Sequence, residues 1–393
     1  MARLSERISG IVGAGGDDGW SVYYRARALA EAGAPVVMLT VGDHDIKTDP
    51  AILAAMRASQ ERGNLGYPPV PGSAALRRAI AGRVSARTTL AAATAQVLVV
   101  PGGQAGLFAS LTAVLDPGQS CIVLDPYYAT YVQTVRAAGG RAIVVPTSAE
   151  DGFQPDAARI EAALAPDTRA ILINTPNNPT GAVYAPERLA AIADLCVRRD
   201  LWLISDEVYD VQVHEGRHAS PRDLLGMADR TLVVNSLSKS HAMTGSRIGW
   251  VLGPEAAIAR IGELATTTTY GVPGYIQDAA EFAMTEGAEI EAAIAARYRR
   301  RRDAVLESLG NARAVRANAP AGGMYVMLDI RPTGLSGLDF AHRLLEAEYI
   351  AVMPGESFGT AAAGHLRVAL TRPEAVLRDA LARLVAFAGT LAA

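Results

Sequence analysis

Between residues 97 and 234, short apolar runs alternate with helical patterns, and this alternation constrains the chain more than any other feature. Val97-Leu98-Val99-Val100, Cys121-Ile122-Val123-Leu124, Ala142-Ile143-Val144-Val145, Ala170-Ile171-Leu172-Ile173, Trp202-Leu203-Ile204 and Thr231-Leu232-Val233-Val234 are the runs. Each is too short for a helix and too continuously apolar for a half-exposed strand, so each predicts a strand buried on both faces. Helical patterns over 105–115, 128–138, 156–164 and 186–198 separate them. Strands buried on both faces with helices between them predict a mostly parallel sheet in an α/β fold, covered on either side.

The flanking stretches differ. Ahead of this block come helical patterns over 21–32, 50–62 and 73–84, with Ser73 as N-cap, and a short strand at 35–39. A glycine-rich break spans 13–19, followed by Trp20, which either lines an entrance or packs the arm down. Behind the block, a long helical pattern over 288–309 carries Arg297-Tyr298-Arg299-Arg300-Arg301-Arg302. Strands at 323–329 and 366–370 and helices over 338–346 and 373–389 follow. Acidic residues flank the arginine run, so it reads as a solvated helix face. The 393 residues suffice for two α/β units: an arm and part of a small domain over 1–45, a large domain over 46–285 and a small C-terminal domain over 286–393.

A net charge of -3 offers no footprint for nucleic acid or an anionic membrane, and no run of 18 apolar residues predicts a membrane span. Cys121 and Cys196 sit in apolar surroundings without metal-ligand spacing. They predict two buried thiols in a reducing, cytoplasmic setting.

Four loops that follow strands collect polar residues, and an open sheet gathers such loops along one crevice. Pro101-Gly102-Gly103-Gln104-Ala105 opens a helix with free backbone N–H groups. It is either a phosphate cradle or a bare tight turn. Asn174-Thr175-Pro176-Asn177-Asn178-Pro179-Thr180-Gly181 is stiffened by prolines, so an amide can be aimed at a ligand. Ser205-Asp206-Glu207-Val208-Tyr209 puts a carboxylate at the end of a buried strand, where it needs a partner, and a cationic ring nitrogen is a suitable one. Ser236-Leu237-Ser238-Lys239 continues to Arg247, a fork-shaped donor for phosphate or carboxylate. Of the 37 Lys plus Arg, only Lys47 and Lys239 are lysines. Lysine can become a neutral nucleophile and arginine cannot, so Lys239 is either an ordinary surface residue or an amine for Schiff-base chemistry. An amine, a carboxylate for a pyridinium, donors for a phenolic oxygen and a phosphate cradle are the requirements of pyridoxal 5'-phosphate.

With these residues, and with Tyr67-Pro68-Pro69-Val70-Pro71-Gly72, Asp125-Pro126-Tyr127-Tyr128 and Leu366-Arg367-Val368 in order along nearly the whole chain, the sequence resembles the class I/II aminotransferases of the fold-type I pyridoxal-phosphate enzymes. The resemblance implies a large domain with a mostly parallel seven-stranded sheet between helices, a smaller α/β domain, and a homodimer with shared sites. It implies that Lys239 holds the cofactor as a Schiff base and shuttles a proton. Asp206 would pair with the ring nitrogen, Asn178 and Tyr209 would donate to the phenolic oxygen, and Tyr128 would stack on the ring. Gly103, Gln104 and Ala105, with Ser236 and Arg247, would hold the phosphate, and Tyr67 would reach the neighbouring subunit's phosphate. Arg367 would clamp the substrate carboxylate, with Asn178 and Gly42 contributing. The implied reaction is ping-pong exchange of an amino group between an L-amino acid and a 2-oxo acid. A C–S lyase or another fold-type I enzyme on the same cofactor site is the alternative. Two departures from the family pattern stand out. Gly42-Asp43-His44-Asp45-Ile46 replaces the usual Gly-Glu-Pro-Asp-Phe, with His44 either a local hydrogen-bonding residue or a catalyst. The stretch 265–274, where one branch places an arginine for a distal carboxylate, carries no cation.

Overall fold

The apolar runs resolve into strands of two sheets in the computed structural model, which describes residues 3–12, 20–310 and 312–391. In chain order the strands are β1 (Val37–Leu39), β2 (Val97–Val100), β3 (Ser120–Asp125), β4 (Arg141–Pro146), β5 (Thr168–Asn174), β6 (Trp202–Asp206), β7 (Thr231–Ser236), β8 (Gly249–Leu252), β9 (Arg316–Asn318), β10 (Tyr325–Asp329), β11 (Ile350–Pro354) and β12 (His365–Ala369). The seven-stranded sheet has the order β2-β8-β7-β6-β5-β3-β4. Its strands from β4 through to β7 pair in parallel, whereas β8 is antiparallel to both β2 and β7.

Side-chain alternation along each strand feeds two separate cores. Leu98, Val100, Cys121, Val123 and Ile204 pack with Leu107 and Leu111 of the helix Gly103–Val114. Ile122, Leu124 and Leu203 point the other way, onto Leu189, Ile192 and Cys196 of the helix Pro186–Arg199. Burying each such aliphatic side chain contributes about 1.5–3 kcal/mol, so a register slip of one residue would be costly. That parity fixes the site: Asp206 follows Ile204 on the face covered by the helix Gly103–Val114 and comes last in its strand.

The second sheet has the order β1-β11-β12-β10-β9. The N-terminal strand β1 joins it in parallel register with β11, Val37 opposite Ile350, so the chain's beginning and end share a core. Asp125, at the end of β3, ties the two sheets together. Its Oδ2 accepts from Thr360 N at 2.9 Å and Ala361 N at 3.1 Å, while Phe358 O accepts from Tyr127 N at 2.9 Å. Gly359 has φ +117°, and a Cβ there would overlap the Asp125 carboxylate, so this crossing requires glycine.

Several expectations need correction. Strand β8 is an addition to the predicted elements: its apolar run opens on Gly249 and is closed by Gly253-Pro254, which read locally as turn residues. Strands β9 and β11 and the helices Glu255–Thr267 and Gly274–Glu286 are further additions to the predicted elements. The helix expected over 128–138 begins at Tyr131, and Tyr128 to Thr130 form a turn before it. The strand expected at 323–329 begins at Tyr325. The arginine run is not a solvated face throughout. Helical spacing turns Tyr298, Arg301 and Arg302 inward, and their charges are met there: Arg301 by Asp45 at 2.7 and 2.8 Å, Arg302 by Glu215 and Asp303. The glycine-rich break at 13–19 lies outside the described residues. Cys121 and Cys196 are free and buried, and burial pushes both thiols up to about 12. Among the described residues no helix is long and apolar enough to cross a membrane.

Candidate active site

The four predicted loops converge at the C-terminal ends of the parallel strands on a cavity of about 420 Å³. Strand β7 ends at Ser236, whose Oγ caps the one-turn helix Leu237–Ser240 by accepting from Ser238 N at 3.3 Å. That turn projects Lys239 into the cavity, where Nζ donates to Gly42 O at 2.6 Å. Gly42 follows β1, so the amine is held by a segment from the other sheet. A Cβ at Gly42 would overlap the Tyr325 hydroxyl, which excludes any larger residue there.

Asp206 is buried at the end of β6. Its Oδ2 accepts from Tyr131 Oη at 2.6 Å and its Oδ1 from Val208 N at 3.2 Å. Burial pushes its pKa up to about 6, and the Tyr131 hydrogen bond pulls the other way. Tyr128 lines the cavity and meets Tyr131 edge-on at 5.6 Å. Tyr209 also lines it; burial, then Tyr325 beside it, hold its phenol well above the ordinary tyrosine range, so it remains a donor.

Arg367 enters from β12 between the rings of Tyr325 and Phe358, each 4.3 Å from its guanidinium carbon. Its Nη2 donates to Thr40 O, and its Nη1 to Asn178 Oδ1 at 2.9 Å. Arginine has no acceptor, so the Asn178 amide must present its oxygen there, and its NH₂ is left to donate elsewhere. Asn178 is placed through its backbone, since its N–H donates to Asn174 Oδ1 at 2.7 Å. The adjacent amide is structural: Asn177 Oδ1 accepts from Thr180 N and Oγ1 within the turn.

The remaining donors surround the start of the helix Gly103–Val114. Gly102 has φ +83°, and a Cβ there would overlap the Arg247 guanidinium, so the turn and the arginine fit only around glycine. Arg247 Nη1 donates to Thr244 O at 2.8 Å. Gly103, Gln104, Ser236 and Arg247 all line the cavity. Ala105 lies in the same helical turn, but its side chain faces a shallow groove outside. Tyr67 is 89% exposed, edge-on to Tyr270 at 5.1 Å, and is not among the residues that line this cavity. His44 sits behind the cavity, its Nδ1 2.8 Å from Tyr298 Oη. Burial, then the Lys239 charge, push its pKa down to about 4, which matches a neutral local hydrogen-bonding residue.

Tyr131, Thr40, Tyr325 and Phe358 join the predicted residues at the site, and Asn174, which opens one of the predicted loops, positions Asn178 there. The four additions act across long sequence distances and carry no local signal.

These groups fit pyridoxal 5'-phosphate. A buried carboxylate whose pKa is raised is completed by a cationic ring nitrogen, and a helix start with the Arg247 guanidinium packed directly on Gly102 suits a phosphate. A lysine after β7 and an aspartate ending β6 on such a sheet define a fold-type I pyridoxal-phosphate enzyme. The sequence pattern of the Aminotransferase class I and II family matches residues 34–384, and the chain belongs to that family. It is 44% identical over 388 residues to the arginine–pyruvate transaminase of Pseudomonas aeruginosa, covering 99% of this chain and 98% of that one. It is 39% identical over 373 residues to the aspartate/prephenate aminotransferase of Thermus thermophilus, covering 94% and 95%. The solved structure of aspartate aminotransferase from Thermus thermophilus with maleate superposes with a TM-score of 0.91 at 37% identity, covering 98% and 100%. The aspartate aminotransferase of Thermotoga maritima gives 0.92 at 32%, covering 98% and 99%. The protein is a pyridoxal-phosphate-dependent aminotransferase that exchanges the amino group of an L-amino acid with a 2-oxo acid.

Proposed function

We propose that Lys239 carries the cofactor and moves the proton in both half-reactions, with Asp206, Asn178, Tyr209 and Arg367 in fixed supporting roles. The convergence of the Lys239 amine, the Asp206 carboxylate and the Arg367 guanidinium on one cavity carries this reading. Bound pyridoxal 5'-phosphate supplies an electron sink that makes the substrate Cα proton removable. Asp206 keeps the ring nitrogen protonated. Asn178 Nδ2 and Tyr209 Oη donate to the phenolic oxygen, and Tyr128 stacks on the ring. Gly103, Gln104 and Ala105 offer backbone N–H groups to the phosphate, joined by Ser236 Oγ and Arg247. Arg367 exchanges its bonds to Asn178 and Thr40 for a fork on the substrate carboxylate, near Gly42. The flanking rings of Tyr325 and Phe358 exclude water and strengthen that fork.

The reading includes a cytoplasmic homodimer, supported by two buried free thiols and by the exposed Tyr67–Tyr270 pair, from which Tyr67 would reach the partner's phosphate. It divides the chain into an arm and part of the small domain over 1–45, a large domain over 46–285 and a small domain over 286–393. The similarity to a protein named arginine–pyruvate transaminase supports a basic amino donor with pyruvate as acceptor.

Mixing the holoenzyme with an amino acid tests the roles. Absorbance should pass from the aldehyde to the amine form of the cofactor and return on adding a 2-oxo acid; Lys239→Ala should bind the cofactor but make neither change. Release of pyruvate and ammonia without the amine form would instead identify a lyase.

A further inference from the structure

We propose that Asp125 positions the substrate clamp, holding Phe358 against the Arg367 guanidinium from the end of β3 in the other sheet; this rests on the reading of Arg367 as the binder of the α-carboxylate. The guanidinium lies between the rings of Tyr325 and Phe358, each 4.3 Å from its central carbon. Tyr325 is fixed within β10. Phe358 instead ends a single turn, Gly355–Phe358, and is followed by Gly359, so the loop that carries it is shaped from outside.

Ahead of the ring, Glu356 Oε1 accepts from Gly337 N at 2.9 Å and Gly364 N at 3.1 Å, close to the smaller sheet. Behind it, the partners come from the seven-stranded sheet. Asp125 Oδ2 accepts from Thr360 N at 2.9 Å, Thr360 Oγ1 at 3.1 Å and Ala361 N at 3.1 Å, and Tyr127 N donates to Phe358 O at 2.9 Å. Phe358 and the residues two and three beyond it are thus tied to one short segment after β3. Asp125 is 1% exposed; burial pushes its pKa up, and the Ala361 and Thr360 donors pull it back. Its Oδ1 has no hydrogen-bond partner among the described residues and faces Gly359, where a Cβ would overlap it. Every side-chain hydrogen bond this carboxylate makes among the described residues therefore goes to the loop directly behind the ring. Bonds to an ionised acceptor are the strong kind. A ring displaced by about 1 Å would admit water beside the fork and weaken it.

The test is half-reaction kinetics of the holoenzyme, with whichever of L-arginine, L-alanine and L-glutamate the wild type converts fastest. Asp125→Ala should raise the half-saturating concentration about tenfold, equivalent to about 1.4 kcal/mol, within what a desolvated cation on an aromatic face contributes. The limiting rate and the absorbance of the bound cofactor should stay at wild-type values. Asp125→Asn, which keeps one acceptor oxygen, should raise the concentration less, and it carries the comparison if the alanine variant does not fold. Phe358→Leu should match Asp125→Ala, and the double variant should be no weaker than Phe358→Leu alone, because the acid acts through the ring. Multiplying effects in the double variant, or an unchanged half-saturation in both Asp125 variants, would refute the inference. If Arg367→Lys itself leaves half-saturation unchanged, the clamp reading fails instead, so the two failures are distinct.

Discussion

Replacing Tyr131 by Phe removes one oxygen and keeps the ring that meets Tyr128 edge-on. The lost Oη donates to Asp206 Oδ2 over 2.6 Å, and both groups are buried. A hydrogen bond to a charged group contributes about 1.5–3 kcal/mol, and one pH unit of pKa corresponds to about 1.4 kcal/mol. The bond favours the ionised carboxylate, so losing it moves the Asp206 pKa from about 6 to roughly 7–8. Cofactor binding through a protonated ring nitrogen requires that carboxylate ionised. Apoprotein affinity for pyridoxal 5'-phosphate should therefore fall as pH drops through about 6 in the wild type, and through roughly 7–8 in the variant. At about pH 7 the ionised fraction goes from roughly nine-tenths to between a tenth and a half, an affinity loss of about two- to tenfold. At about pH 9 the two proteins should bind alike. Equilibrium titration of the apoprotein by absorbance between about pH 5.5 and about pH 9 measures both curves. An unmoved or lowered midpoint in Tyr131→Phe would refute the assignment of Tyr131 as the donor that keeps Asp206 ionised.

Arg367→Lys keeps the charge but loses the fork, so the half-saturating amino acid concentration should rise about ten- to hundredfold, from about 1.5–3 kcal/mol of lost charged hydrogen bonding, with the absorbance of the bound cofactor unchanged. Half-reaction kinetics over a range of amino acid concentrations check it. Gly102→Ala forces a side chain into a φ of +83° and against Arg247; it should cost about 1–3 kcal/mol of stability and weaken cofactor binding, seen together as a lower melting temperature and a weaker titration.

The alternation of apolar runs with helices was legible because β2, β3, β5, β6 and β7 are buried along nearly their whole length, so composition alone marks them; the edge strand β4 is half-exposed and was marked by its apolar run all the same. Lys239, Asp206 and Asn178 were legible because each follows such a run within a few residues, where an open sheet places its ligands, and Arg247 lies further along the segment that follows Lys239. Strand β8 was not, since its run opens on Gly249 and is closed by Gly253-Pro254, the local signals of a turn. Nor was the role of Asn177 beside Asn178, because equal amides were divided into turn and cavity by the backbone that carries them.

Local patterns therefore specified the sheet, the crevice and the residue types that hold a pyridine cofactor. Tertiary packing alone joined β1 to β11, which brings the carbonyls of Thr40 and Gly42 to Arg367 and Lys239, set Tyr131 on Asp206, and tied the loop that carries Phe358 to Asp125. Such pairings are made between residues tens to hundreds of positions apart, where hydrogen bonds and burial act through space, and no periodicity within either segment records its partner.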